Sequence, residues 1–160
     1  MKDLFTPMTP SILNGSRTQM RKIVDMEHID YVGGSGLEND PRSWGYEDPK
    51  VGCGVYLTLD DGIKCPYGKV GDQFRIGQIQ VEIINIRVER INSISEKDAI
   101  SEGISSIGWL DDKETYWRTQ DGGACYNPIG SFRSFWEVEN GNESWVSNPW
   151  VWVIEFKKYE

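Results

Sequence analysis

The sequence predicts an α+β fold, a closed or half-closed β-barrel with helices beside it. Three features carry that expectation. Between Ile79 and Val88 the apolar residues alternate as Ile79, Val81 and Ile83, then change phase to Ile84, Ile86 and Val88. A one-residue slip in an otherwise regular strand marks a β-bulge, which bends a strand round a barrel corner. The segment Trp150 to Lys157 places Trp150, Trp152, Ile154 and Phe156 on one face, and Val151 and Val153 with Glu155 on the other. Helix signals stand between and before these strands. Ser95-Glu96-Lys97-Asp98 resembles a capping box that opens a helix over Glu96 to Glu102, and Ser131 to Glu139 has apolar residues at helical spacing.

Taken in order, Thr9-Pro10-Ser11-Ile12-Leu13-Asn14-Gly15 predicts a short helix. Thr9 caps it, Pro10 suits its first position, and Gly15 closes it in the left-handed conformation. Arg17 to Val24 has a period near two and a β-branched end, which predicts a strand with one basic edge. Residues 30 to 52 are rich in Gly, Asp, Pro and Glu and predict a long loop or lid carrying Trp44 and Tyr46. Gly54 to Leu59 predicts a strand, with Asp60-Asp61-Gly62 as its hairpin turn. A turn cluster over Pro66 to Asp72 leads into a short strand, Gln73 to Ile76. Gly103 closes the helix that starts at Glu96, residues 105 to 127 read as irregular, with Trp109 and Trp117, and Asn140-Gly141 ends the later helix. With no repeat and no boundary signal, residues 1–160 read as one domain with insertions near 30–52 and 105–127.

Composition narrows the function. The 160 residues are 38% hydrophobic and 12% aromatic, which suits a globular chain. The longest apolar run, Trp150 to Ile154, is far below the roughly 20 residues of a membrane span, and the Met1-Lys2-Asp3-Leu4 start has no signal pattern. A cytoplasmic protein without a membrane partner is expected. Cys53, Cys65 and Cys125 are odd in number and widely spaced, and His28 is the single histidine. That pattern predicts reduced thiols, no disulfide framework and no metal, and nothing in it calls for a cofactor. The net charge is −8, whereas polyanion binding draws on Lys and Arg. A nucleic-acid ligand therefore needs positive charge gathered in one groove, or is a free nucleoside; the remaining option is a protein partner.

Four segments, in order, resemble the ASCH family, and most closely its phage and prophage members. They are Ile12 to Lys22, which matches the signature G-x-K-x-x-(E/T)-x-R; Val70 to Ile76; Arg87 to Ile91 running into Ser95 to Ile104; and Ser144-Trp145 with Asn148 to Phe156. The ordered set spans nearly the whole chain. The resemblance implies a PUA-like small mixed or antiparallel β-barrel with two or three flanking helices. It implies a cleft where the signature strand meets the helix bearing the acid, and a role in binding RNA or a modified nucleoside or nucleotide. Some members are reported as ribonucleases, and one branch hydrolyses acetylcytidine with a Lys, a Thr and a Glu. Those three fall here on Arg17, Met20 and Glu102, so the hydrolytic triad is only partly matched. Arginine does not deprotonate in a protein and methionine has no hydroxyl.

The site expected from these residues contains Arg17, Thr18, Met20, Arg21 and Lys22 from the signature and Glu102 from the helix. Glu102 is also the candidate catalytic residue of a hydrolase reading, whether acylcytidine amidohydrolase or ribonuclease. It stands in the last helical turn, where the macrodipole disfavours a carboxylate by roughly 0.3–1 kcal/mol, which points to a task. Trp145, Trp44 and Tyr46 are candidates for stacking on a base, while Trp150 and Trp152 read as core. A third reading, a phage protein that binds a host defence protein in the host cytoplasm, rests on the acidic charge.

Overall fold

A computed structural model describes residues 14–52, 54–76, 78–108 and 115–159. Most of the helix expected over Thr9 to Gly15 lies outside them, as do Cys53 and Trp109. The strands are β1 (Gln19–Ile23), β2 (Asp30–Tyr31), β3 (Trp44–Glu47), β4 (Tyr56–Thr58), β5 (Gln73–Ile76), β6 (Ile79–Arg90), β7 (Ser106–Gly108), β8 (Thr115–Arg118), β9 (Ala124–Cys125) and β10 (Trp150–Tyr159). The helices are α1 (Glu96–Ser101) and α2 (Pro128–Asn140). The fold is α+β, with antiparallel ladders throughout the named strands.

The main sheet has the order β1-β10-β6-β5 and curls into a half-barrel. Its bend lies where the sequence slips phase. Glu155 pairs with Asn85 and Phe156 with Ile83, which leaves Ile84 without a partner on β10. Ile84 is 43% exposed, while the residues on either side keep their alternation. A bulge of this kind bends its strand and deepens the local twist.

The two faces of β10 build two cores. Trp150, Trp152, Ile154 and Phe156 pack inside the half-barrel with Met20, Val81 and Ile83. Val151 and Val153 face the other way, onto Ile91, Ala99 of α1, and Phe132 and Trp136 of α2. Burying such side chains stabilises the fold by about 1.5–3 kcal/mol each. α1 starts at Ser95, whose hydroxyl accepts from the Asp98 amide at 3.1 Å. α2 starts earlier than its apolar pattern, at Asn127-Pro128, with the Asn127 side chain accepting from the Gly130 amide at 2.7 Å. It ends before Gly141, whose φ of +96° only glycine adopts freely.

Three expectations need correction. The segment 30–52 is no lid: with β4 it forms the three-stranded sheet β2-β3-β4. Trp44 is the clamp that fixes this sheet to the half-barrel. The Arg90 guanidinium lies 5.3 Å from the Trp44 ring centre and 4.2 Å from that of Trp150. The Trp44 indole N–H and Arg90 Nη2 both donate to the Glu38 carbonyl, at 2.9 and 2.8 Å. Residues 105–127 likewise contain a second three-stranded sheet, β7-β8-β9. The turn Asp60-Asp61-Gly62 joins no hairpin, because β4 pairs with β3 and the next strand, β5, joins the main sheet. It closes on itself, with the Thr58 amide donating to the Asp61 carbonyl at 2.8 Å. Among the described residues no helix is long and apolar enough to cross a membrane.

Candidate functional site

Strand parity decides which side chains of the signature reach the cleft. Side chains of successive strand residues point to opposite faces, so Gln19 and Arg21 turn toward α1 while Met20 turns into the half-barrel core. Met20 is 1% exposed among apolar neighbours. It is therefore a core residue, not the ligand contact expected from its place in the signature. The same parity on β6 puts Arg87 and Glu89 opposite Ile86 and Val88, and the Ile84 bulge sets that phase. On β10 it adds Glu155, which lies across from Gln19.

These side chains form a buried ion network under α1. Arg21, whose side chain is 0% exposed, donates to Glu102 Oε1 at 2.7 Å, Glu89 Oε1 at 2.5 Å and Gln19 Oε1 at 2.6 Å, with Asp98 Oδ2 at 3.4 Å. Arg87 donates to Asp98 Oδ2 at 2.9 Å and Glu89 Oε2 at 3.3 Å, and also to Glu155. Burial alone would raise the Asp98 carboxyl. The Gln19 hydrogen bond and the Arg87 and Arg21 charges outweigh it and hold Asp98 below its ordinary value of 3.8. Desolvation works against the Arg87 cation too, and Glu89, Asp98 and Glu155 overcome it, raising Arg87.

Glu102 is the most buried acid of this network, at 4% exposed. It caps the C-terminus of α1 with φ −71° and ψ −5°, and Gly103 follows at φ +91°. Its second oxygen, Oε2, accepts from Arg17 Nη2 at 3.2 Å. Two main-chain bonds set that meeting: the Thr18 amide donates to the Ser101 carbonyl at 2.9 Å, and the Phe156 amide to the Thr18 carbonyl at 2.9 Å. Thr18, expected as a ligand contact, thus acts through its backbone, and its side chain is exposed. Gly15, at φ +77°, turns the chain just before Arg17.

A cavity of about 270 Å³ opens beside the pair. Arg17, Arg21 and Glu102 form one wall, and Phe132, Phe135 and Trp136 of α2 form the opposite one. Those three aromatics stand at i, i+3 and i+4, the spacing that puts them on one helix face. Arg118 of β8 and Glu139 of α2 complete the lining together with Gly103, Ile104 and Ser105. Two buried donors of lining residues, Arg21 Nε and Trp136 Nε1, have no hydrogen-bond acceptor among the described residues. A buried donor without an acceptor costs about 1–3 kcal/mol, so these two weaken the packing behind the cavity wall.

The remaining expected residues lie elsewhere. Lys22 reaches across to Glu139 Oε1 at 3.1 Å and is not part of the cavity wall. Trp44 belongs to the clamp already described, Tyr46 is exposed on β3, and Trp145 packs edge-on against Phe132 at 6.3 Å. None of these three lines the cavity. Residues missed from the sequence are Gln19, Asp98, Arg118 and the three aromatics. Period-two counting from Arg17 would have found Gln19, and the aromatic spacing within Phe132 to Trp136 was visible as a helix face.

A second groove, about 720 Å³, runs along the half-barrel over Ile86, Val88 and Trp152, with Lys64 and Lys69 at its border. Cys65 sits there, and burial pushes its thiol up, although the Tyr67 and Gly68 amides oppose this. Neither of the two orphaned donors of the first cavity borders it. No protein-family model, no curated protein and no solved structure matches this chain.

Proposed function

We propose that the chain is a binding module of the PUA-like, ASCH type, and that the cavity between Arg17, Glu102 and α2 holds a nucleoside or one nucleotide of an RNA. The observation that carries this reading is the meeting of Arg17 and Glu102 at the mouth of an aromatic-walled cavity. A guanidinium donor next to a carboxylate acceptor suits the edge of a heteroaromatic base, and aromatic walls suit its faces, a base stack being worth about 1–3 kcal/mol. The volume lies just under the range of roughly 300–1,000 Å³ for drug-sized sites, which favours one base and its sugar over a longer segment.

The same geometry favours binding over hydrolysis. Both Glu102 oxygens already accept from guanidiniums, and neither Arg17 nor Met20 supplies a nucleophile. The reading is tested by titrating the protein with a nucleoside panel and labelled single-stranded RNA, alongside incubation with acetylcytidine. Binding weakened about tenfold or more in Arg17→Ala, the scale of a charged hydrogen bond, supports it. No binding by the natural chain, or equal binding by the variant, overturns it. Turnover of acetylcytidine abolished by Glu102→Gln would replace it with the hydrolase reading.

A further inference from the structure

The charges around the cavity separate into those already matched and one that is not. Its wall carries three guanidiniums, of Arg17, Arg21 and Arg118, against two carboxylates, of Glu102 and Glu139. The wall therefore holds one positive charge in excess, in a chain whose net charge is −8. Glu102 is shared by Arg17 and Arg21, Arg21 is further matched by Glu89 and Asp98, and Glu139 is held by Lys22. Arg118 is the exception: among the described residues its guanidinium has no carboxylate within ion-pair distance.

The backbone that carries it is nevertheless well fixed. The Arg118 amide donates to the Ser105 carbonyl at 2.9 Å, and the Arg118 carbonyl accepts from the Ser131 hydroxyl, itself 0% exposed, at 2.5 Å. The backbone bearing the guanidinium is thus tied both to the chain after Glu102 and to the first turns of α2, on either side of the cavity.

We propose that the guest is anionic, a phosphorylated nucleotide whose phosphate is taken by Arg118 at the cavity mouth while its base enters between Glu102 and α2. Arginine's planar fork matches a phosphate in a two-pronged contact. This rests on the nucleoside reading above and narrows it. The phosphate belongs either to a free mononucleotide or to the end of an RNA, and both present the same group to Arg118.

The test is calorimetry on the intact chain with the four ribonucleosides, their 5′- and 3′-monophosphates, inorganic phosphate, and a tetranucleotide with and without a terminal phosphate. At least one monophosphate is expected to bind on the order of tenfold to a hundredfold more tightly than its nucleoside, the reach of a hydrogen bond to a charged group. In Arg118→Gln that ratio is expected to fall to about one. Arg118 is exposed, so this variant is expected to melt with the natural chain. A phosphorylated tetranucleotide that outcompetes the mononucleotides assigns the guest to an RNA end, and the reverse assigns it to the free nucleotide. Nucleoside and monophosphate binding equally, or an advantage that survives Arg118→Gln, overturns the phosphate assignment and leaves the nucleoside cavity standing. Binding by none of the probes removes both.

Discussion

Arg17 and Glu102 stand 85 positions apart in sequence, and the Arg17 Nη2 donor lies 3.2 Å from Glu102 Oε2. Their immediate neighbours are bonded through the main chain, the Thr18 amide donating to the Ser101 carbonyl. The ion pair is therefore not left to two flexible side chains. The strand entry and the helix exit are fastened first, and the charges follow.

Thr18 contributes its backbone to that arrangement. Thr18→Ala is expected to leave ligand affinity and the melting temperature close to those of the natural chain, within about 0.5 kcal/mol, as for most surface substitutions. Thr18→Pro removes the amide donor and is expected to weaken ligand binding as severely as Arg17→Ala. Parallel calorimetric titrations of the two variants check this.

Arg21 has the opposite character. Replacing it with Met leaves Glu102, Glu89 and Asp98 without their shared cation, Glu102 fully inside the protein and the other two half-buried. Breaking a buried pair from one side typically costs about 3–5 kcal/mol, and that loss is expected in a urea unfolding curve. Arg17→Ala is expected to cost clearly less, because Arg21 still holds Glu102.

Acid should find the same network. Asp98 titrates below its ordinary value in the folded chain, so between the folded and unfolded values the unfolded chain binds more protons. Its contribution is therefore fully present above about pH 4 and is lost as pH falls through the lower, folded value. Urea unfolding between pH 6 and pH 3, conditions chosen about that value, is expected to show stability declining at the acid end. The slope is expected to flatten in Asp98→Asn.

The bulge makes a prediction about geometry. Ile84 is exposed and unpaired, so Ile84→Thr is expected to change stability by no more than about 0.5 kcal/mol. Deleting Ile84 removes the extra residue, so Asn85 follows Ile83 in regular alternation and the pairs Asn85–Glu155 and Ile86–Ile154 keep their register. Arg87 and Glu89 then still face α1, and Ile86 and Val88 the half-barrel core. A cooperative thermal transition, followed by circular dichroism, is expected to survive this deletion.

What could be read from the sequence follows from element length. The bulge in β6 and the two faces of β10 were legible because those strands run for 12 and 10 residues, long enough for alternation to declare its phase. The small sheets were not, since β2 and β9 have two residues each, too few to display any period. Trp44 looked like a lid residue for that reason, although Arg90 and Trp150 hold it. The meeting of Arg17 with Glu102 was anticipated from the order of the ASCH-like segments. The place of Met20 was not, because matching a motif by position ignores strand parity, and parity sends Met20 away from Gln19 and Arg21. Arg118 gave no signal at all: nothing local reveals that β8 will pass the mouth of a cavity built from α1 and α2.

The central claim is that this cavity, and not the wider groove on the half-barrel, receives a nucleoside or nucleotide. Amide chemical shifts followed during titration with a ribonucleotide test it most directly. The account predicts shifts clustered at Arg17, Glu102, Gly103, Ile104 and Phe132. Shifts gathered instead at Ile63, Lys69, Ile86 and Trp152, or a spectrum that does not move, would contradict it.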